Sequence, residues 1–418
     1  MGNVVGSRKL WIVNQYATPP SLPGITRHYS LGKHLVEKGW DVTVFTSNYR
    51  HETREDFISN LKSEFHKESF DGVEFVFVRQ KFAYKSNSIS RILNILEFGK
   101  NVYKVMSAEA SVKPPNIVIG SSFHFLNPEA AFMLARKRGA VPLLEIRDLW
   151  PEALIYLRNI SEHHPIVHLL TMESKRLYGR SEGVIALSPA IEKKVKQYFP
   201  TKRTLILPNP VDIELFSNVD LKRWKDLEPV KRLVNSNAKI KLIYIGTIGE
   251  ANAFETIYEA AKLLREYDIE FFVIGHGEKF QEYSLRSKDE KLKVFFYRPI
   301  PKLAIPTLLS VADGLIAAIH PSFALYGGSM NKLNDYMISG KPIFYSGPRE
   351  NTPFESVDCA EIVEPLNAAA LSEKVRAFYL NPEPYRERAR FCRKYAEENL
   401  SSNHLAARLH EFLKYYVT

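Results

Sequence analysis

The sequence predicts an α/β protein with two Rossmann-like, doubly wound parallel-sheet domains that face each other across a cleft. Short apolar, β-branched runs alternate with stretches of helical periodicity along the chain, and repeated β-α-β units are typical of parallel sheets covered by helices on both faces. The 418 residues suit two domains of ordinary size better than one core. Residues 208–237, which are rich in charges and turn formers, separate the two series of β-α units.

The first series begins with an apolar strand, a loop that contains Pro and Gly, and an amphipathic helix that ends at Gly39. Its predicted strands are 10–14, 41–46, 73–78, 117–120, 142–146, 183–187 and 204–207. The second series begins near Ile240 and has predicted strands at 241–245, 270–274, 293–296, 314–318 and 342–345. A helix is predicted at 253–267, and residues 384–416 are predicted to be helical and strongly charged.

These elements divide the chain into four parts. We predict an N-terminal domain at 1–215, a linker at 216–238, a C-terminal domain at 239–390, and a C-terminal helix at 391–418 that crosses back to the N-terminal domain. Because doubly wound sheets bind ligands beyond the carboxyl ends of their strands, the functional residues are expected just after strands, in the cleft between the domains.

The net charge of the chain indicates which kinds of partner it binds. A net charge of +10 favours polyanions such as nucleic acid, an anionic membrane surface or phosphorylated substrates. We find no zinc-finger or RNP pattern, so we expect no nucleic acid but a membrane surface and phosphosugars. No apolar run approaches the ~20 residues that span a bilayer, and the start of the chain has no leader pattern. We therefore expect a cytoplasmic protein that associates peripherally with the inner face of the plasma membrane.

The sequence gives no indication of a metal site. Cys359 and Cys392 have no second Cys or His at ligand spacing, so we expect two reduced, partly buried thiols. His164 and His168 resemble a metal-binding pair, but nothing nearby supplies further ligands. No Asp-x-Asp motif occurs.

Three segments carry a resemblance to a known family. Residues 145–152 read Glu-Ile-Arg-Asp-Leu-Trp-Pro-Glu, residues 208–212 read Pro-Asn-Pro-Val-Asp, and residues 331–342 read Asn-Lys-Leu-Asn-Asp-Tyr-Met-Ile-Ser-Gly-Lys-Pro. In this order they resemble the retaining glycosyltransferases of family 4, which have the GT-B fold, and they look closest to the WbuB-like branch of amino-sugar transferases.

The resemblance implies a specific activity. It implies metal-independent transfer of an N-acetylamino sugar, with retention of configuration, from a nucleotide diphosphate sugar to a lipid-linked or saccharide acceptor in O-antigen or capsule biosynthesis. UDP is the nucleotide that the family favours, and no cofactor is implied. Two alternatives remain open: a nucleotide-sugar epimerase or hydrolase of the same fold, and a non-catalytic partner that binds sugar nucleotides.

The start of the helix near Asn331 is the first candidate donor site. Gly328 and Ser329 precede it, and a glycine loop with free N–H groups at a helix start binds phosphate. We expect Ser329 to cap the helix and Lys332 to add a positive charge, although a lysine there opposes the helix dipole. The resemblance implies that this region holds the diphosphate and that Asp335 binds the ribose hydroxyls. The alternative is an ordinary helix start with a solvated lysine.

Two further glycine loops are donor-site candidates in the second domain. Gly246 and Thr247 follow its first strand, where relatives usually carry an Arg and, a few residues on, a Lys; this chain has Thr247 and Asn252. The missing pair is the best argument for a non-catalytic protein. The resemblance also implies that the turn at Gly275 and Gly277, together with Arg298, lines the base pocket. A plain turn is the alternative there.

The first domain supplies the remaining candidates. Gly24 and Arg27 lie at the start of a helix that we expect to face the diphosphate across the cleft. The catalytic candidates after strands are Glu145, Arg147, Asp148 and His124. Arg147 and Asp148 either orient the substrates or form a structural ion pair, and His124 is either a substrate contact or a buried, satisfied histidine.

The stretch 79–104 mixes basic and apolar residues at helical spacing. The basic residues are Arg79, Lys81, Lys85, Arg91, Lys100 and Lys104, and the apolar ones are Ile89, Ile92, Leu93, Leu96 and Tyr103. This pattern is typical of a helix that lies on an anionic membrane. The alternative is that the apolar stripe packs on the sheet.

Overall fold

The computed structural model describes residues 8–22, 24–49, 56–57, 61–82, 89–122, 124–158, 160–322 and 329–417. These residues form two α/β domains, as the sequence predicts, each with a sheet between helices; the C-terminal sheet is parallel, and the N-terminal sheet is parallel except at its edge strand β3. The N-terminal sheet has eight strands in the order β3-β4-β2-β1-β5-β6-β7-β8, and the C-terminal sheet has six in the order β11-β10-β9-β12-β13-β14.

The strands of the N-terminal sheet are β1 Arg8–Val13, β2 Trp40–Ser47, β3 Phe65–Phe70, β4 Val73–Val78, β5 Ile117–Ser122, β6 Val141–Ile146, β7 Gly183–Ala186 and β8 Thr204–Ile206. Its helices are α1 Arg27–Glu37, α2 Ile89–Val112, α3 Leu126–Arg138, α4 Glu152–Arg158, α5 Pro165–Arg180 and α6 Pro189–Tyr198. Every residue of the central strand β5 is buried, because helices cover both faces of the sheet.

Three short helices follow the first domain: α7 Ile213–Ser217, α8 Leu221–Trp224 and α9 Glu228–Val234. The C-terminal strands are β9 Ile240–Thr247, β10 Ile269–His276, β11 Val294–Tyr297, β12 Gly314–Ala318, β13 Ile343–Ser346 and β14 Glu361–Val363. The remaining helices are α10 Phe254–Leu263, α11 Phe280–Asp289, α12 Ile305–Ser310, α13 Asn331–Ser339, α14 Ala368–Leu380, α15 Glu383–Asn399 and α16 Ser402–Lys414.

Two strands were not predicted. β3 pairs antiparallel with β4 at the edge of the first sheet, and four of its six residues are exposed, so its sequence lacks the apolar pattern of a strand. β14 is only three residues long and pairs with β13 at the edge of the second sheet. Edge strands need little apolar surface, which explains why the pattern did not reveal them.

The C-terminal segment forms two helices rather than one. Ser401 separates them, and its hydroxyl accepts a hydrogen bond from His404 N at 3.3 Å, which caps α16. α15 packs on α13 of the C-terminal domain, whereas α16 packs on α1 of the N-terminal domain. His34 Nε2 lies 3.0 Å from Ser402 Oγ, and Trp40 Nε1 donates to His410 Nδ1 at 2.9 Å.

The two cysteines are not the reduced thiols that we expected. Cys359 precedes β14 and Cys392 lies on α15, and the two form a disulfide with their Cα atoms 5.1 Å apart. Both are at most 2% exposed. Their separation of 33 residues did not indicate a pair, because only the tertiary fold brings α15 back against the start of β14.

Candidate active site

A pocket of about 330 Å³ lies between the two domains. Its C-terminal wall comes from the carboxyl ends of β9 and β10, the segments that follow β9 and β11, and the start of α13. Its N-terminal wall comes from residues 24–26 after β1. The C-terminal sheet runs from β9 outward to β11 and then resumes at β12 on the other side of β9. The pocket therefore lies at a topological switch point, where parallel sheets bind ligands.

Lys332 lies in the first turn of α13 and lines this pocket. Its Nζ donates to Asn252 Oδ1 at 2.6 Å and to the hydroxyl of Tyr244 at 3.3 Å, and it lies 4.6 Å from the centroid of the Tyr244 ring. Burial lowers the pKa of Lys332 to about 7. Lys332 is thus partly buried and hydrogen-bonded, unlike an ordinary solvated lysine.

Asp335 lies one turn further along α13, on the wall of the same pocket. Both of its carboxylate oxygens accept from Lys302 Nζ, one of them at 2.6 Å. Burial raises the pKa of Asp335, and Lys302 opposes this rise. The sequence singled out Asp335 but not Lys302, which lies in a short 3-10 turn after β11. No local motif marks this lysine.

The glycines at the carboxyl ends of β9 and β10 have steric roles. Gly246 has φ +149°, and a Cβ atom there would lie 2.8 Å from Lys332 Nζ, so the glycine makes room for the amine. A Cβ atom at Gly275 would lie 1.9 Å from the carbonyl oxygen of Gly246. A Cβ atom at Gly277 would lie 2.2 Å from the carbonyl oxygen of Ile248. Gly246, Thr247 and Gly275 line the pocket, whereas Gly277 allows the two loops to pack closely.

Of three other predicted donor contacts, one lines the pocket, one lies elsewhere and one is not described. The Arg298 guanidinium lies over the Phe280 ring, 4.5 Å from its centroid, and Pro299 rather than Arg298 is among the described residues that line the pocket. Asn331, the first residue of α13, lines the pocket. Gly328 lies outside the described residues.

Ser329 does not cap α13, contrary to prediction. Met330 occupies the N-cap position, and no side chain caps the helix. Ser329 Oγ instead accepts from Asn209 N at 3.3 Å, and Asn209 Nδ2 donates to the Ser329 carbonyl at 2.8 Å. Asn334 Nδ2 donates to the Asn209 carbonyl at 2.6 Å. These bonds attach α13 to the segment that connects the two domains.

Gly24 lines the pocket with φ +134°, but Arg27 does not face it. Arg27 is 2% exposed, and its Nε donates to Glu145 Oε1 at 2.7 Å. Its two other nitrogens donate to the carbonyls of Pro208 and Leu207 at 2.5 and 2.9 Å. The predicted contact between Arg27 and a diphosphate is therefore corrected, because these bonds direct the guanidinium into the N-terminal domain.

Glu145 is the centre of a buried polar cluster rather than a cleft residue. Besides Arg27, its carboxylate bonds His28 Nε2 at 2.8 Å and Ser121 Oγ at 2.6 Å, and it is 3% exposed. Burial alone raises the pKa of Glu145, but Arg27, His28 and Arg147 together lower it well below its usual value. Both carboxylate oxygens are already bonded to side chains of the N-terminal domain, which argues against the predicted role of Glu145 as a contact to substrate hydroxyls.

Arg147 and Asp148 follow β6 directly. Arg147 is 6% exposed, and its Nη1 lies 4.0 Å from Glu145 Oε2. Burial lowers the pKa of Arg147 to about 10, although Glu145 opposes this. Burial raises the pKa of Asp148, and Arg147 opposes this rise. Asp148 is partly exposed, whereas Glu145 and Arg147 are buried.

His124 is partly buried in the N-terminal domain. Its Nε2 lies 2.7 Å from Gln15 Oε1, and its ring meets that of Tyr16 edge-on with centroids 6.2 Å apart. Burial, with Arg91 as a second cause, lowers the pKa of His124 to about 3, so the ring is neutral. Among the described residues, no group of three or more His, Cys, Asp or Glu side chains is placed to hold a metal ion.

Comparisons with known proteins agree with this architecture. The model "Glycosyltransferase Family 4" matches residues 24–215, and the model "Glycosyl transferases group 1" matches residues 228–399. The chain is 23% identical over 233 residues to WcaI of Escherichia coli K12, which carries the provisional name colanic acid biosynthesis glycosyl transferase. That alignment covers 54% of this chain and 56% of the relative.

Solved structures share the fold over nearly the whole chain. Sucrose-phosphate synthase from Thermosynechococcus elongatus has a TM-score of 0.72 at 14% identity and covers 97% of this chain and 98% of its own. HepE from Anabaena, solved with UDP-glucose, has a TM-score of 0.64 at 12% identity, with 97% and 99% covered. The two matched models together span both domains, so the chain belongs to the glycosyltransferases of the GT-B fold, with a family 4 N-terminal domain and a group 1 C-terminal domain.

Proposed function

We propose that the protein is a retaining glycosyltransferase that binds a UDP-sugar in the pocket between its domains. The observation that carries the proposal is the amine of Lys332, which lines this pocket at the start of α13. A diphosphate bound there meets the free N–H groups of the first turn and the lysine ammonium. The solved complexes of HepE with UDP and with UDP-glucose support this class of donor.

The other residues of the pocket have roles in this proposal. The ribose hydroxyls bind Asp335, next to Lys302, and the base lies against residues 274–276 and 299–300. During transfer, a bond forms between the acceptor oxygen and the anomeric carbon while the bond to the diphosphate breaks. The acceptor proton goes to the departing phosphate. Lys332 and the helix N–H groups stabilise the charge that develops on the diphosphate, so the proposal needs no metal ion.

Our proposal for the acceptor and the donor sugar is based on the resemblance of the sequence motifs and on the similarity to WcaI. We propose that an N-acetylamino sugar is transferred to a lipid-linked or saccharide acceptor in surface polysaccharide biosynthesis. The provisional name of WcaI, which refers to colanic acid, an extracellular polysaccharide, supports a pathway of this class. Asp148, beside Arg147 at the end of β6, is the proposed contact to acceptor or sugar hydroxyls.

The test starts with the purified full-length protein and a panel of UDP- and GDP-sugars. We expect a UDP-N-acetylamino sugar to raise the melting temperature more than the other donors. We also expect release of UDP only when membrane extract supplies an acceptor. Release of UDP at the same rate without extract would favour the hydrolase alternative, and the absence of stabilisation by any donor would contradict the proposal.

The surface of α2 supports a peripheral position on the inner face of the plasma membrane, which we include in the proposal. Ile92, Leu93 and Leu96 are 59%, 41% and 52% exposed, so this part of the predicted stripe does not pack on the sheet. Exposed cations continue the same face at Lys100 and Lys104. Among the described residues, no helix is long and apolar enough to cross a membrane.

We expect the double variant Leu93→Ser/Leu96→Ser to reduce binding to anionic vesicles at least tenfold. Each leucine loses part of the roughly 1.5–3 kcal/mol that burial of its side chain in the membrane provides. Co-sedimentation with anionic phosphatidylglycerol vesicles measures the loss of binding. Comparison with phosphatidylcholine vesicles, which carry no net charge, shows how much of the binding is electrostatic. The matched control is Leu263→Ser/Leu380→Ser, which removes two exposed leucines from the C-terminal domain. Equal binding of both double variants would contradict the membrane proposal.

A further inference from the structure

The end of β9 and the turn after it, residues 246–253 (the β9 loop), line one wall of the donor pocket but contribute no cation to it. Residues 246–253 read Gly-Thr-Ile-Gly-Glu-Ala-Asn-Ala, without Lys or Arg. Gly246, Thr247 and Asn252 nevertheless line the pocket next to Lys332. A diphosphate that bound against this loop would find backbone N–H groups there and one exposed acidic residue, Glu250. The positive charge must therefore come from another element.

Lys332 reaches across from α13 to supply this charge. Its amine lies beside the loop, held by Asn252 Oδ1 at 2.6 Å and by the Tyr244 hydroxyl at 3.3 Å. The missing side chain at Gly246 leaves the space that the amine occupies. An ammonium group has three N–H donors, so these two contacts leave one donor for a ligand in the pocket.

The two groups that accept hydrogen bonds from Lys332, the Tyr244 hydroxyl and the Asn252 amide oxygen, have different roles. Tyr244 is 1% exposed, and its hydroxyl donates to the Thr247 carbonyl at 2.6 Å, so it is fixed within the domain. Asn252 ends a short 3-10 turn, Glu250–Asn252, and presents a neutral oxygen to the amine. A neutral acceptor orients the ammonium without cancelling its charge. Among the ion pairs of the described residues, none joins a carboxylate to Lys332, and burial is the cause of its lowered pKa.

We propose that Asn252 is a positioning residue that holds the Lys332 ammonium against the β9 loop, so that one lysine from α13 serves the diphosphate of the donor. This inference rests on the proposed function. It explains why position 252 carries an amide: a carboxylate of the same size would pair with Lys332 and compete with the diphosphate for its charge. An asparagine that only closed the turn would tolerate either Ala or Asp.

The experiment measures the affinity of the full-length protein for UDP and for uridine by titration calorimetry. We expect Asn252→Ala to weaken UDP binding about tenfold, since a misplaced ammonium loses part of a charge-assisted hydrogen bond. We expect Asn252→Asp to weaken it further, by about another tenfold, while the affinity for uridine stays unchanged in both variants. The order of the two variants is decisive, because aspartate is the more conservative change for a structural role.

The controls separate this inference from the proposed donor site. Asn367→Asp makes the same chemical change at the N-cap of α14, where either residue accepts the bond from Ala370 N, and it should leave UDP affinity unchanged. If the wild-type protein binds no UDP, the proposed function fails. If Lys332→Met weakens UDP binding but Asn252→Asp matches wild type or exceeds Asn252→Ala in affinity, only the role of Asn252 is overturned.

Discussion

Replacing Lys332 with methionine is expected to weaken UDP binding about 10- to 100-fold, which is the range for loss of a hydrogen bond to a charged group. The rate of sugar transfer should fall further, by about 10²- to 10³-fold, because the ammonium also stabilises the charge that appears on the departing diphosphate. Methionine keeps an unbranched apolar side chain but removes the amine, which lies 4.6 Å from the centroid of the Tyr244 ring. Calorimetry with UDP and the rate of UDP release from the donor measure the two effects.

Lys332→Met should not destabilise the ligand-free protein, although it weakens UDP binding. Burial lowers the pKa of Lys332 from its usual 10.5 to about 7, so between these pH values the unfolded chain binds more protons than the folded protein at this group. Its contribution to the free energy of unfolding therefore rises with pH across this window, by about 1.4 kcal/mol per pH unit. Lys332→Met removes this term and should be no less stable than wild type at pH 7.

Urea unfolding of the ligand-free protein at pH 7 and at pH 9 tests this expectation. The gain in stability between the two pH values should be smaller in Lys332→Met than in wild type. The control Lys288→Met changes an exposed lysine of α11 and should alter neither UDP affinity nor the pH response. A Lys332→Met protein that is strongly destabilised and binds UDP like wild type would identify Lys332 as a packing residue and remove the proposed diphosphate site.

The sequence predicted the sheets well because their interior strands are buried on both faces. Strands β4 and β12 have the predicted bounds, and the other predicted strands differ by one or two residues at an end. The missed strands are at the sheet edges, where apolar runs are not needed. The break between α15 and α16 was missed because it depends on Ser401, which pairs with Val211 of the segment between the domains.

The sequence predicted those residues of the candidate site that lie close together along the chain or directly at a strand end. Lys332 and Asp335 share a turn of α13, and Gly246 lies at the carboxyl end of β9, so position along the chain already placed them at the same edge of the sheet. Lys302 and Asn252 were missed as contacts because their partners lie 33 and 80 residues away. Only the fold shows that these side chains meet.

Contacts between residues far apart in the chain cannot be read from the sequence, which also explains why charged residues of the first domain were assigned to the cleft. Arg27 and Glu145 are 118 residues apart and form a buried pair in the structure. Glu145 is a residue of β6 itself, next to Ser121 of β5 in the sheet, so its side chain points to one face and not beyond the strand end. The sequence could not distinguish these positions, since a charged residue near a strand end is more often exposed.

Glu145→Gln is expected to lower the free energy of unfolding by about 3–5 kcal/mol, the usual cost when one partner of a buried ion pair is removed. Arg27 and Arg147 would remain buried at 2% and 6% exposure without the carboxylate that now faces them. The glutamine keeps the size of the side chain, so the effect reports charge rather than a cavity. Urea unfolding at pH 7 measures it.

The control and the pH dependence separate a structural role from a catalytic one. Glu129→Gln changes a more exposed glutamate that pairs with Arg176 and Arg180, and it should cost less than about 1 kcal/mol. The pKa of Glu145 is lowered in the folded protein, so its contribution to stability is present above the usual glutamate pKa of about 4.3 and is lost as pH falls below it. The Glu145→Gln variant should therefore lose less stability than wild type on acidification. If Glu145→Gln instead unfolds like wild type and loses only its turnover rate, with the affinity for UDP unchanged, then the carboxylate takes part in the reaction, and the buried cluster must open to the cleft in the complex with both substrates.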